Sequence, residues 1–169
     1  MRNEKIYIAG SLFNEAEIAQ RLKEEKLLRE LGFENIYNPI QAPCNKKEDL
    51  PTCLDIFWGD TKEVLTSDII TVDITNPSDL GVGCELGVIW MCNYLYQLKE
   101  QGLNLEQILE MIPKKQLIAV NSDIRKGTAH RYKGDEIPVG VNQYMVGLIK
   151  DIGIIKNNFN ELLEELKKE

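Results

Sequence analysis

Asp79-Leu80-Gly81-Val82-Gly83-Cys84-Glu85-Leu86-Gly87, midway along the chain, is the stretch that decides the fold. It follows a strand-like run, Asp68–Ile74, and a short turn, and it opens a long apolar segment that is typical of a helix. Two carboxylates therefore bracket two glycines at a point where a strand gives way to a helix. In an open α/β sheet such junctions lie at the carboxyl ends of the strands, where ligands bind. Glycine allows a close backbone approach and a helix start favours an anion, so we predict that Glu85 is an ionised nucleophile.

Strands and helices alternate along the rest of the chain. The strand-like runs are Lys5–Gly10, Glu34–Pro39, Asp68–Ile74, Lys115–Asn121 and Gly153–Lys156. The helical runs are Glu15–Leu31, Cys53–Thr66, about Gly83 to about Gln101, Asn104–Met111, Asn142–Ile149 and Phe159–Glu169. This alternation predicts a flavodoxin-like, doubly wound, five-stranded parallel sheet with helices on both faces and the strand order 2-1-3-4-5. That order places the Gly10–Phe13 turn beside the Asp79–Glu85 turn, in one cleft. No repeat or linker divides the sequence, so residues 1–169 are predicted to form one domain.

Composition and charge exclude several classes of partner. The formal net charge of -7 offers no basic excess to neutralise phosphates, so a nucleic-acid partner is not expected. The sequence has no apolar run of membrane length and no signal peptide, which predicts a cytoplasmic protein. Cys44, Cys53, Cys84 and Cys92 form no CxxC pair and no histidine cluster accompanies them, so free thiols are expected and not disulfides or a zinc site. His130 is the only histidine, which makes Ser-His and Cys-His triads poor candidates. Acid–base chemistry is left to carboxylates, tyrosine or lysine.

A carboxylate nucleophile works by forming a covalent intermediate, as in retaining glycosidases, where the attack occurs at the anomeric carbon of a sugar. It must be ionised, so a helix start and a hydrogen-bond donor that lower its pKa would help. Tyr7, on the first strand, could be that donor or an ordinary core tyrosine. Asp60, in the second helix, would by default lie on a solvated face, and it gains interest only if that helix covers the cleft.

Two further features have alternative interpretations. Phe13, just after the first strand, could stack on an aromatic ligand or plug the core. The basic loop Arg125–Lys133 is explained more simply as solvated than as a lid over an anionic substrate. Gly81 and Gly83 do not form a dinucleotide fingerprint, because such a motif should follow the first strand.

The sequence resembles the nucleoside 2-deoxyribosyltransferase family. The resemblance rests on three runs: Ile6-Tyr7-Ile8-Ala9-Gly10-Ser11-Leu12-Phe13, Ser67-Asp68-Ile69-Ile70 and Asp79-Leu80-Gly81-Val82-Gly83-Cys84-Glu85-Leu86-Gly87. It implies cleavage of the N-glycosidic bond of a 2′-deoxynucleoside, capture of the deoxyribosyl group on a glutamate, and transfer to a free nucleobase. It implies no cofactor.

The resemblance also implies roles for individual residues. Glu85 matches the nucleophile, Tyr7 the tyrosine that orients it, and Asp60 an aspartate near the base that could protonate it. Asp79 matches an aspartate that binds substrate, through the 5′-hydroxyl or the base, and Phe13 an aromatic residue that packs on the base. With them, the substrate site is expected to include Gly10, Gly81, Gly83 and Asn142. Since Asn142 resembles an asparagine that completes a neighbouring subunit's site, a homo-oligomer is expected, either a dimer or a trimer of dimers.

Two other functions remain open at this stage. One is a hydrolase of the same superfamily that cleaves 2′-deoxynucleoside 5′-monophosphates, which would need phosphate-binding groups after the first strand. Ser11 is a candidate there, but the rest of the loop offers few groups that would bind a phosphate, and Arg21 lies further along the chain. The other is a non-catalytic nucleotide-binding protein that keeps the fold.

Overall fold

The computed structural model describes residues 2–43, 49–123, 130–132, 135–137 and 141–168. The strands are β1 (Ile6–Ala9), β2 (Ile36–Tyr37), β3 (Ile69–Val72), β4 (Leu117–Val120), β5 (His130–Tyr132), β6 (Asp135–Ile137) and β7 (Gly153–Lys156). The helices are α1 (Glu15–Glu30), α2 (Cys53–Thr66), α3 (Leu80–Glu100), α4 (Leu105–Met111), α5 (Gln143–Ile152) and α6 (Phe159–Leu166). None of the helices in these ranges is long and apolar enough to cross a membrane.

The central strand β1 organises the first sheet, whose order is β2-β1-β3 with all strands parallel. All four residues of β1 are buried, because helices cover both faces of the sheet. Ile6 and Ile8 pack with Phe33 and with Leu28 of α1 on one face. Tyr7 and Ala9 face the other way, and this second face packs against Val64 of α2 and two residues of α3, Val88 and Ile89. Strand alternation therefore turns Tyr7 toward α2 and α3.

The expected single five-stranded sheet is not seen as one hydrogen-bonded sheet among the described strands, which form a three-stranded and a two-stranded parallel sheet and a separate antiparallel pair. β4 pairs in parallel with β7 in a separate two-stranded sheet, and no strand pairing joins β3 to β4 within the described ranges. The neighbours inside each sheet agree with the predicted order, so the mixed α/β class with parallel sheets is confirmed.

The boundary of α3 also differs from the prediction. The helix begins at Leu80 instead of about Gly83, because the Asp79 side chain accepts hydrogen bonds from the backbone of Gly81 (3.0 Å) and Val82 (3.3 Å) and caps it. The two glycines thus belong to the first turn of the helix and not to a loop before it. Glu85 lies in the second turn.

The predicted basic loop Arg125–Lys133 contains a strand, β5 (His130–Tyr132). Strands β5 and β6 pair antiparallel, with His130 opposite Ile137. Arg125, Lys126 and Lys133 of the predicted basic loop lie outside the described residues, as does Cys44.

Helix α5 lies directly against α2. A Cβ atom at Gly147 would overlap the backbone carbonyl of Cys53 and the Cβ of Phe57, so only glycine permits this approach. The Phe57 and Tyr144 rings meet edge to face, with centroids 5.2 Å apart. The close contact brings the start of α5, and with it Asn142 and Tyr144, beside α2 and α3.

Candidate active site

Glu85 lies at the centre of the site and is only 8% exposed. The hydroxyl of Tyr7, which is fully buried, donates a 2.6 Å hydrogen bond to Oε1 of Glu85. The two residues are 78 positions apart, and they meet because β1 presents Tyr7 to the face of the sheet that α3 covers. The sequence left Tyr7 open as a donor to Glu85 or an ordinary core tyrosine, and the structure has it as the donor.

Burial raises the pKa of Glu85 from an ordinary 4.5 to about 7. The Tyr7 hydrogen bond lowers the pKa, but the nearby carboxylates of Asp60 and Asp79 raise it further. A helix start and a hydrogen-bond donor were expected to help keep Glu85 ionised, but in the structure the loss of hydration on burial outweighs the hydrogen bond from Tyr7. Burial and the Glu85 charge also hold the pKa of Tyr7 far above its usual range, so Tyr7 stays a neutral donor.

Asp60 is buried in α2 and faces the same region. Its Oδ1 atom accepts a 3.0 Å hydrogen bond from the hydroxyl of Tyr37. The default expectation of a solvated helix face is therefore wrong, because α2 packs its Asp60 side toward the sheet and α5. Since Asp60 raises the pKa of Glu85, the two carboxylates lie within electrostatic reach of each other.

Tyr37 is a site residue that sequence reasoning missed. Its ring stacks on the Tyr7 ring with centroids 5.4 Å apart and an interplanar angle of 14°. The two tyrosines are direct partners in the parallel register of β1 and β2, and one hydroxyl goes to Glu85 while the other goes to Asp60. A tyrosine at the same position of two adjacent parallel strands is a signal that could have revealed the pair.

Asp79 caps helix α3 and also lies at the site. Besides capping α3, its Oδ1 atom accepts from the side-chain amide of Asn142 at 3.4 Å. A Cβ at Gly81 would press on that amide (2.8 Å), whereas a Cβ at Gly83 would meet nothing within 4 Å. Gly81 is thus required for the Asp79–Asn142 contact, and Gly83 borders open space.

Asn142 belongs to the same chain as the Asp79 it contacts. It also caps α5 by accepting from the backbone of Met145 at 3.1 Å. The expectation that it completes the site of a neighbouring subunit stays a prediction.

The turn after β1 has an unusual backbone at Gly10. Its φ of +155° disfavours any side chain, and a Cβ there would overlap the guanidinium of Arg21. Phe13 follows and is 69% exposed, so the core-plug alternative is wrong; stacking on a ligand stays a prediction. The β1 turn and the β3 turn do lie side by side, as expected, since the Asn76 side chain donates to Ser11 Oγ at 2.9 Å.

Tyr144 is a second residue that the sequence did not single out. Its hydroxyl shares a buried 2.8 Å hydrogen bond with Thr61 of α2. Burial raises its pKa to about 12, and the charges of Glu85 and Asp60 contribute to the shift, which places it in the same electrostatic environment. No signal in the sequence distinguishes it from other helix aromatics.

The structure thus brings Glu85, Tyr7, Asp60, Asp79 and Asn142 into one region. Phe13 has no described contact with this group. Within the described ranges, no set of three or more His, Cys, Asp or Glu residues is placed to hold a metal ion.

The fold and the site together define an α/β protein with a buried, tyrosine-bonded glutamate on the face of its parallel sheet that α2 and α3 cover. The family model for nucleoside 2-deoxyribosyltransferase matches residues 6–102, more than half of the chain, and the chain belongs to this family. The matched range contains Tyr7, Asp60, Asp79 and Glu85 but not Asn142.

Two similar proteins extend over nearly the whole chain. An uncharacterized protein of Ureaplasma parvum serovar 3 is 27% identical over 176 residues, covering 97% of each sequence. The crystal structure of a conserved protein from Enterococcus faecalis V583 is 27% identical, covers 98% of each chain and superposes with a TM-score of 0.46.

Proposed function

We propose that this protein is a nucleoside 2-deoxyribosyltransferase that exchanges the base of 2′-deoxynucleosides through a covalent deoxyribosyl–Glu85 intermediate. The observation that carries the proposal is the 2.6 Å hydrogen bond from Tyr7 to the buried Glu85 carboxylate. A carboxylate held in this way is oriented for attack at a sugar carbon, and membership of the family supplies the substrate class.

In the first step, the Oε2 atom of Glu85 attacks C1′ while Tyr7 holds Oε1. The C1′–N bond breaks and its electron pair leaves with the base. Asp60, which is a carboxylate in the free protein and takes up a proton when the substrate binds, gives that proton to the base. A glycosyl ester with inverted configuration remains on Glu85. Protonation of the leaving base lowers the barrier because a neutral base is a better leaving group.

In the second step, a nitrogen of the incoming base attacks C1′ from the opposite side. The ester bond breaks, Glu85 regains its charge, and the proton of the incoming base returns to Asp60. Two inversions retain the configuration at C1′. Asp79 and Asn142 bind the sugar at its 5′-hydroxyl, and Phe13 stacks on the base.

Ionised Glu85 is required for attack, although burial favours its neutral form in the free protein. Its pKa of about 7 leaves a large ionised fraction at neutral pH. Tyr7 stabilises that fraction by donating to it, so the pair keeps a desolvated carboxylate reactive.

Base exchange tests the proposal directly. Incubation with deoxyinosine and adenine is expected to yield deoxyadenosine and hypoxanthine, whereas omission of adenine yields no deoxyadenosine. Hypoxanthine and free deoxyribose forming at the same rate without adenine would instead mark a hydrolase. Turnover confined to 2′-deoxynucleoside 5′-monophosphates would favour the nucleotide N-glycosidase alternative.

The proposal includes assembly of the chain into a homo-oligomer. Helix α3 exposes the large apolar side chains of Leu86 and Trp90, which lie four residues apart on one face, and Trp90 stacks on Tyr94 with ring centroids 5.1 Å apart. Exposed apolar patches of this kind are typical of protein interfaces. A second copy of the chain is the proposed occupant of this face of α3.

A further inference from the structure

The carboxylate of Glu17 accepts hydrogen bonds from a group of donors beside the site. In the first turn of α1, its Oε2 accepts from the backbone N–H of Phe13 at 2.8 Å, and its Oε1 accepts from the side-chain amide of Asn76 at 3.1 Å. The same amide donates to Ser11 Oγ. Backbone and amide N–H groups at a helix start are the donors that proteins use to bind phosphate, and here a carboxylate of the protein takes that position.

A buried positive charge lies beneath the same turn. The Arg21 side chain is 1% exposed, lies against Gly10 and forms ion pairs of 2.6 Å with Glu24 and Asp73. Its Nε and Nη1 atoms are buried without a hydrogen-bond partner within the described part of the chain. The turn therefore lies against a guanidinium that is paired with Glu24 and Asp73, and the Glu17 carboxylate adds a further negative charge on its solvent side.

This arrangement adjoins the position proposed for the 5′ end of the sugar. The backbone N–H of Asp79 donates to the carbonyl of Asn76 at 3.3 Å, so Asp79 and the Glu17-bonded amide share one turn. With C1′ at Glu85 and the 5′-hydroxyl at Asp79, a 5′-phosphate would extend toward Asn76 and the Glu17 carboxylate. It would meet a like charge and find its donors already engaged.

We propose that Glu17 determines specificity by excluding 5′-phosphorylated substrates, so that the site accepts deoxynucleosides and rejects their monophosphates. This inference rests on the proposed function, since it assumes a deoxynucleoside bound with its 5′ end at Asp79. The hydrogen bond from Phe13 also lowers the pKa of Glu17, which keeps the excluding charge present at neutral pH.

Binding measurements with Glu17→Gln test the role of this charge. Dissociation constants for 2′-deoxyadenosine and for its 5′-monophosphate are measured by calorimetry on the full-length chain. The wild type is expected to bind the nucleoside more tightly, and the variant is expected to bind the monophosphate about tenfold tighter or more than the wild type, with nucleoside affinity unchanged. Glu15→Gln is the matched control. Glu15 is an exposed carboxylate in the same turn of α1, so this substitution removes the same charge from the same helix end.

The inference is overturned by wild-type protein that binds both ligands equally, by an unchanged preference in Glu17→Gln, or by the same gain in Glu15→Gln. If Glu17→Gln fails to fold, Glu17→Ser is judged by the same criteria. Because this test measures binding, its outcome is independent of the base-exchange assay. Wild-type protein that binds the nucleoside but does not exchange bases contradicts the proposed function and leaves the role of Glu17 intact. A wild type that binds neither ligand defeats both.

Discussion

At the residue scale, the buried pair of Tyr7 and Glu85 governs both chemistry and stability. A carboxylate with a raised pKa binds its proton more tightly in the folded state than in the unfolded chain. The stability that this proton contributes is fully present below pH 4.5 and is lost as the pH rises through about 7. Glu85 therefore makes the fold less stable at neutral and alkaline pH.

Glu85→Gln removes this cost while keeping a hydrogen-bond acceptor for Tyr7. We expect the variant to exceed the wild type in free energy of unfolding by about 3 kcal/mol above pH 7, from roughly 1.4 kcal/mol per pKa unit. The difference should close as the pH falls toward 4.5. Urea unfolding at both pH values measures it, and a difference that does not change with pH would contradict the account of Glu85.

Tyr7→Phe tests the orientation of the carboxylate. Because the Tyr7 hydrogen bond lowers the pKa of Glu85, its loss should raise that pKa and move the acid limb of the kcat/KM profile to higher pH. Tyr144→Phe is the matched control, since it removes a buried hydroxyl that bonds to Thr61 and not to Glu85. An acid limb that stays in place in Tyr7→Phe, or moves equally in the control, would contradict the role of Tyr7.

The sequence predicted the identity of these residues better than their environment. The position of Tyr7 on a strand and of Glu85 after a strand–helix junction can be derived from local patterns. The pKa of Glu85 cannot, because it depends on the total burial contributed by elements far apart in the sequence. The Tyr37–Asp60 hydrogen bond was missed for the same reason, since it requires the register of two strands and the rotation of α2.

At the scale of elements, the contact of α5 with α2 positions Asn142 and Tyr144. Gly147→Ala would push the Cβ into the Cys53 carbonyl and Phe57, backbone and side-chain atoms that cannot easily move aside. We expect it to destabilise the protein by about 1–3 kcal/mol, the usual cost of overpacking. Gly87→Ala in α3, where a Cβ would meet nothing within 4 Å, should instead stabilise by about 0.5–1 kcal/mol. Thermal melts compare the two, and an equal effect would contradict the close packing.

Local signals predicted the helices more accurately than the sheet. The bounds of α2, Cys53–Thr66, agree with the prediction, because the apolar spacing and the Thr52 cap are local. The start of α3 was misplaced by three residues because the capping role of Asp79 was overlooked. The division into two sheets depends on which strands pair over long distances, and alternating strands and helices do not determine that.

At the scale of the whole molecule, the shared-site prediction concerns Asn142. If Asn142 completes a neighbour's site, mixing inactive Glu85→Gln and Asn142→Ala subunits should restore about a quarter of wild-type activity in a randomly reassorted dimer. Each mixed dimer would then hold one site with both residues intact. The measurement is base exchange after subunit exchange, with each variant alone as the control. No recovery would assign Asn142 to the site of its own chain, where it contacts Asp79.

The central claim, a covalent deoxyribosyl group on Glu85, is tested most directly by intact mass spectrometry. Wild-type protein is mixed with 2′-deoxyadenosine in the absence of an acceptor base and quenched in acid. The account predicts a mass increase of one 2-deoxyribosyl group that maps to the peptide containing Glu85 and is absent from Glu85→Gln. Base exchange without any adduct, or an adduct that persists in Glu85→Gln, would contradict it.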